Sequence, residues 1–379
     1  YLPTTHTTRS LRRTLKAWYA LANRSETILA KRFCPLLAAA VLAGAFLWPA
    51  EALSATITVM NADDGGPGSL RAALAAAADG DTIVFASGLS GIPILLTSGE
   101  LSITKDLDIA GHGPGATILD GNASSRVISV GQDADVTLAG LTIRSGVAKI
   151  GAGILNGGRL TLENSAVEGN RCDEMNESGC GIYNSGILTV RSSTISDNSC
   201  ACYPPVCHCE GAGMVNMGVA NLTASIVAHN TSVVCGGIQN FSELTMVQSL
   251  VSENVAIPGE GGGLCVSGKV VLISTSVTDN YAGLQGAGIS SHGDLTLDHS
   301  LVARNSTNHE GGGGIYNGGY LALLNSEISD NRANTFGGGV YNLGTMRSVG
   351  TTVSTNVGLA WAGGGIANGG QCALLNSTV

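Results

Sequence analysis

The sequence predicts an all-β fold: a single-stranded, right-handed parallel β-helix with a short capping helix at its N-terminal end. Three observations predict it: a repeat of about 25 residues, period-two apolar spacing within each repeat, and columns of Asn and Ser at fixed repeat positions. Aligned on the apolar residue that follows the glycines, successive copies start at Ile154, Ile182, Met214, Ile238, Leu264, Ile289, Ile315, Val340 and Ile366. Self-similarity of this length marks a solenoid, in which each coil buries its apolar face only against its neighbours.

One copy, Gly312 to Asn331, carries the local argument. It reads GGGIYNGGYLALLNSEISDN. Its apolar residues fall in short segments, Ile315-Tyr316-Asn317, Tyr320-Leu321-Ala322-Leu323 and Ser326-Glu327-Ile328, separated by Gly and Asn. Leu321 and Leu323 are two apart, as are Leu160 and Leu162 in the first copy, which sets one row inward and one outward. The segments are too short for helices, so three strands and three bends per coil are expected. Leucine-rich repeats have similar length but a different leucine spacing. With 54 Gly and only 4% aromatic residues, the composition suits a continuous core of small aliphatic side chains.

Stacking turns each repeat position into a column with a spacing of about 4.8 Å. One column holds Asn170, Asn198, Asn230, Asn254, Asn280, Asn305, Asn331 and Asn356. A second holds Asn156, Asn184, Asn216, Asn240, Asn317, Asn342 and Asn368, interrupted by Val266 and Ser291. A third is Ser or Thr, from Ser165 to Ser377. Stacked amides bond up and down such a column, so all three columns read as structural.

Residues 1–28 read as upstream translation, because the first Met is Met60. Residues 29–55 follow the order of a secretory signal: Lys31-Arg32, an apolar run from Phe33 to Trp48, then small residues with cleavage after Ala52 or Ala55. Residues 56–85 form an N-terminal module with a strand at Ile57-Thr58-Val59. A helix follows, N-capped by Ser69 and stopped at Gly80, and then a strand at Thr82 to Phe85. Residues 86–379 are the β-helix, ending inside a repeat, so a missing C-terminal cap or membrane anchor is expected. A secreted or outer-membrane surface location follows from the signal. The formal net charge of −9, with no basic stripe, argues against nucleic acid as a partner.

The stretch Asp63-Asp64-Gly65-Gly66-Pro67-Gly68-Ser69-Leu70-Arg71-Ala72-Ala73-Leu74 resembles the CSLREP-type N-terminal module of secreted bacterial β-helix proteins, without its Cys. The later Gly-Gly-Gly-Ile copies resemble polymorphic outer-membrane protein repeats, with Ile or Val in place of Phe, as in Ile328-Ser329-Asp330-Asn331. The resemblance implies a β-helix exported to the surface or medium. Pectate-lyase-like enzymes share that architecture, and architecture does not decide function.

Nine of the ten Cys follow the signal. Cys172 and Cys180 bracket one long inter-coil loop, and Cys200, Cys202, Cys207 and Cys209 lie in another. In an exported chain they read as disulfides, with a Zn site that includes His208 as the alternative. Cys235, Cys265 and Cys372 occupy coil positions and read as free and buried.

A β-helix lyase or hydrolase needs carboxylates on neighbouring coils, facing out together. The column between the two inward leucines, from Thr161 to Ala373, has none. The residue before the first Asn column is different: Gly169, Asp197, His229, Glu253, Asp279, Arg304, Asp330 and Thr355. Adjacent Glu253 and Asp279 suit a shared proton or Ca²⁺, with Asp197 and Asp330 as further ligands and His229 as a base. The bland reading is charge pairing at a solvated bend. Asp298-His299-Ser300 looks like a triad, but alternation in an extended strand turns His299 away from both neighbours. Tyr183, Tyr316 and Tyr341 share one outward column, where they stack on a sugar or on each other. Two functions therefore stand: a surface β-helix of adhesin or passenger type that binds an extracellular polysaccharide or cell-surface ligand, and a Ca²⁺-assisted polysaccharide lyase or glycoside hydrolase.

Overall fold

Each coil is a set of three short strands, four from Arg171 onward, whose inward leucines, isoleucines and valines stack into one continuous core. The computed structural model describes residues 54–172, 177–200, 209–360 and 363–379; the upstream segment and most of the secretory signal lie outside them. The coil from Ile315 shows the plan. Strand Ile315–Asn317 belongs to sheet 1, Tyr320–Leu324 to sheet 2, Glu327–Ser329 to sheet 3 and Arg332–Ala333 to sheet 4. Among the described residues these sheets hold 11, 13, 11 and 8 strands, and every pair is parallel and in coil-to-coil register. Sheet 4 is the element the sequence reading lacks. Its strands are two residues long, too short to show a period of two.

The columns are where the repeat places them. In sheet 2, Leu160, Leu162, Leu295, Leu297, Leu321 and Leu323 are fully buried while Thr161 between the first pair is half-buried. The first Asn column forms a buried ladder: in Asn280, Nδ2 donates to Asn305 Oδ1 at 2.9 Å and to Val251 O at 3.0 Å. Its Oδ1 accepts from both the backbone N and the Nδ2 of Asn254 at 3.0 Å. The second column links Asn156, Asn184, Asn216 and Asn240 through amide bonds of 2.7 Å and then breaks at Val266. In the third column each hydroxyl accepts the backbone N–H of the coil before, as Ser300 Oγ does from Thr275 at 3.1 Å.

The ladder also explains why the glycines precede the apolar residue. A Cβ on Gly263 would lie 2.6 Å from Gly288 O and 3.0 Å from the Asn280 amide, so the closest approach of coil to ladder requires Gly. Two positions earlier, Gly261 and its equivalents turn the chain through the left-handed region (φ +66°).

At the N-terminal end, α1 (Leu70–Ala76) lays Leu70, Ala73 and Leu74 over the open core. Ser69 caps it through Oγ, which accepts Ala72 N–H at 3.2 Å. The helix stops at Ala76, earlier than Gly80 suggests: Ala77 turns extended, Asp81 takes the Ala78 N–H, and Lys105 Nζ donates to the carbonyls of Leu74, Ala75 and Ala77. Arg71 donates to Glu100 O and Gly99 O, and its partner Asp64 accepts from Thr97 and Ser98. The residues that carry the resemblance to the N-terminal module thus act as a latch between cap and first coils.

Candidate functional site

The charged stripe is a backbone feature first. Asp197, His229, Glu253, Asp279, Arg304, Asp330 and Thr355 all have φ between 53° and 60°, the left-handed bend that directs the following Asn into the ladder. Two pairs of opposite character form along the stack, His229 with Glu253 and Arg304 with Asp279. Arg304 Nε and Nη2 grip Asp279 Oδ1 and Oδ2 at 2.8 and 2.7 Å, and His229 Nδ1 lies 3.5 Å from Glu253 Oε2. The Arg304 hydrogen bonds outweigh the effect of burial and hold the Asp279 carboxyl below its usual range. Glu253 and Asp279 thus each face a base on a neighbouring coil. Among the described residues, no set of three carboxylate or imidazole ligand atoms converges within 4.8 Å along this stripe.

Asp298, His299 and Ser300 part company differently from the strand argument. His299 is at a bend (φ 49°), not in an extended strand, and its Nδ1 meets Asp298 Oδ1 at 2.7 Å. Ser300 remains in the buried hydroxyl column, where its Oγ donates to Leu272 O and Asp298 O.

Six of the cysteines among the described residues are joined in three disulfides. Cys172 is bonded to Cys180 and Cys200 to Cys209, and Cys172 and Cys200 are register partners. Cys202, Cys207 and His208 lie outside the described residues. Cys235 and Cys265, expected free, are joined to each other across adjacent coils; Cys372 is free but exposed rather than buried. Cys235 occupies the left-handed position (φ 57°) that is Gly in the other coils.

The loops that lead into sheet 1 bring Glu260, Gln285 and Phe336 to the expected Tyr316–Tyr341 column, an addition the sequence reading lacks. Glu260 Oε2 accepts Gln285 Nε2 at 2.7 Å and the buried Ser290 Oγ at 3.1 Å, while His292 Nε2 lies 3.7 Å from Oε1. His292 and Tyr316 have ring centroids 5.4 Å apart, Tyr316 meets Tyr341 edge-on at 5.8 Å, and Phe336 stacks on Tyr341 at 5.3 Å. Four successive coils thus bring a carboxylate, an imidazole and three aromatic rings to one edge. Burial, then the Glu260 and Glu310 carboxylates and Tyr341, push the Tyr316 phenol above its ordinary value, despite a hydrogen bond with Gln285. The carboxylate is partly open, with 27% of its side-chain surface exposed, and His292 is half-exposed. Tyr183 shares the column but stands coils away, beyond Val215, Gln239, Cys265 and Ser290.

The chain is therefore a parallel β-helix protein in which one loop edge gathers a carboxylate, an imidazole and three aromatic rings. No family model matches it, and no curated protein matches it. Among solved structures it is similar to pectate lyase Pel9A, at 13% identity over 84% of this chain and 79% of that one (TM-score 0.42). It is also similar to the A-module of the Azotobacter vinelandii mannuronan C-5 epimerase AlgE6, at 17% identity over 84% and 95% (TM-score 0.47). The AlgE4 A-module matches at 14% over 79% and 86% (TM-score 0.42). None of these activities follows for this chain from likeness at that level.

Proposed function

We propose that this chain is an extracellular β-helix that binds a polysaccharide or cell-surface glycan on the loop edge around Glu260, His292, Tyr316 and Tyr341 and releases it unchanged. The observation that carries this reading is the convergence of a half-open carboxylate, hydrogen-bonded from two sides, with aromatic rings from three coils. Sugars are held by that combination of hydroxyl acceptors and apolar ring faces. Disulfides in the described residues support an exported location, since cytosolic thiols are kept reduced.

Turnover is the second reading, because an acid, an imidazole and a phenol share the site. Burial and the neighbouring carboxylates raise the Tyr316 phenol, which favours it as a hydrogen-bond donor over a base. A Ca²⁺-assisted reaction on the bend stripe has less support, since Asp279 and Glu253 are each matched to a base.

Affinity electrophoresis of the whole chain through gels of neutral, acidic and basic polysaccharides tests the proposal. Retardation by at least one polymer, lost in Glu260→Gln and Tyr341→Ala but kept in Asp279→Asn, is expected. Unretarded migration of folded protein in every gel overturns it, and release of reducing or unsaturated ends replaces binding with turnover.

A further inference from the structure

The loops around the proposed site are acidic. Residues 257–263, 283–288, 308–314 and 334–339 contain Glu260, Glu310 and His309 and no Lys or Arg. The basic residues of these coils stand elsewhere: Lys269 and Arg347 on sheet 2, Arg332 on sheet 4, and Arg304 bound to Asp279. The outward neighbours on sheet 1, Gln239, Cys265, Ser290, Tyr316 and Tyr341, are uncharged. Glu260 keeps Oε1 free of any hydrogen-bond donor closer than His292, and its Oε2 is fixed by Gln285 and by Ser290, which is fully buried.

From this geometry we infer that the site selects a glycan bearing free ammonium groups, a deacetylated hexosamine polymer, and rejects uronic acids. The inference rests on the binding role proposed above. An ammonium placed at Glu260 gains a charge-assisted hydrogen bond to Oε1, while Tyr341 and Phe336, three coils further along the stack, flank the path of the sugar units that follow. A uronate in the same place brings a carboxylate against Glu260 and Glu310 with no Lys or Arg between them and the His292 imidazole already beside Glu260, and such repulsion grows as the site is desolvated. Neutral sugars gain the hydroxyl bonds only.

Calorimetric titration of the whole chain with three hexamers separates these cases: glucosamine, N-acetylglucosamine and galacturonate. The glucosamine hexamer is expected to bind at least tenfold more tightly than the acetylated one, with the galacturonate showing no heat of binding. Glu260→Gln is expected to abolish the tenfold preference, while Asp330→Asn, the same charge change on the bend stripe, leaves it intact. Equal loss in both variants would reduce the preference to net charge and overturn the inference. Tighter binding of galacturonate, or equal binding of the two hexosamines, would overturn the inference and leave the binding role standing. No binding of any hexamer would overturn both. Competition with choline distinguishes the source of the ammonium: displacement at the same concentration as glucosamine would mean that the cation alone is read, and the glycan part of the inference would fall.

Discussion

Replacing Asn280 with Ala should open the solenoid locally, and the size of the effect follows from its bonds. The Asn280 side chain is 1% exposed and takes part in five hydrogen bonds of 2.9–3.0 Å that reach Val251, Asn254, Thr278 and Asn305. Truncation removes the acceptor of the buried Asn254 N–H, which costs about 1–3 kcal/mol on its own. The remaining bonds contribute about 0.5–1.5 kcal/mol each, some of which neighbouring carbonyls recover, so a total of about 3–5 kcal/mol is expected. Asp at the same place keeps the acceptor but turns an unpaired carboxylate toward Val251 O, Thr278 O and Asn305 Oδ1, so it should be worse than Ala. A solenoid unfolds in segments, and amide hydrogen exchange read by mass spectrometry reports the relevant local opening. Peptides spanning residues 250–306 should lose about two orders of magnitude of protection or more, while residues 56–140 change little. The exposed neighbour Asp279→Ala should leave the pattern intact, because a solvated ion pair contributes little. If Asn280→Ala loses less than tenfold protection, or Asn280→Asp is the milder change, the ladder is not what holds the coils in register.

Three further outcomes follow from the same contacts. Filling the gap in the second ladder with Val266→Asn and Ser291→Asn together should match or exceed wild-type stability in thermal melts. Three new amide bonds of about 0.5–1.5 kcal/mol each oppose the lost Val burial, and the buried Ser291 Oγ without a partner is removed; Val266→Asn alone should destabilise. Asp64→Asn should loosen the N-terminal cap at neutral pH. Burial opposes the Asp64 charge, but hydrogen bonds from Ser98, Arg71 and Thr97 outweigh it and depress its pKa. The contribution is therefore present above the unfolded carboxyl range and lost as pH falls through the folded value. The difference between wild type and variant, followed by exchange of the α1 amides, should shrink in strong acid. Removing the Cys235–Cys265 bond, which closes a separation of 30 residues, should lower the urea midpoint. The Cys235→Gly, Cys265→Ser variant should lose less than Cys235→Ser, Cys265→Ser, because Gly relieves the left-handed strain at φ 57°.

The columns were legible because a stacked coil imposes the same environment at each repeat position. Asn170 through Asn356, the hydroxyl column and the inward leucines needed only the alignment. Ser69 was legible as a cap for the same local reason. Sheet 4 was not, since two residues carry no periodicity. The strand logic applied to His299 failed because a bend at φ 49° has no alternation. The Cys235–Cys265 bond left a trace that alignment exposes: Cys235 lies three residues before Ile238, where the other coils have Gly. The loop-edge site left a weaker one. Glu260, Gln285 and Phe336 all stand four residues before the aligned apolar residue, but Ser290, Tyr316, Tyr341 and His292 come from two other columns. Which columns meet in space depends on the bend between loop and sheet 1, and spacing alone does not contain that angle.

The bend stripe and the loop edge differ in what their charges mean. At the bend, the left-handed conformation comes first, and it is a position that Asn, Asp and His tolerate better than most residues. Charge there is a by-product of backbone geometry, which explains why Asp197, Asp279 and Asp330 recur, and Arg304 and His229 on neighbouring coils answer Asp279 and Glu253. At the loop edge no conformational demand selects a carboxylate. Ile150, Ser178, Val234, Gln285, Gly311 and Phe336 stand in the column that holds Glu260, and Glu210 is the other carboxylate in it. Yet Glu260 is the group toward which a fully buried Ser and a Gln donate. A carboxylate that the fold does not require, hydrogen-bonded on Oε2 from two sides and facing only the His292 imidazole on Oε1, is better accounted for by a ligand than by the coil. That asymmetry is the physical reason for placing recognition at Glu260 rather than along the more conspicuous row of acids.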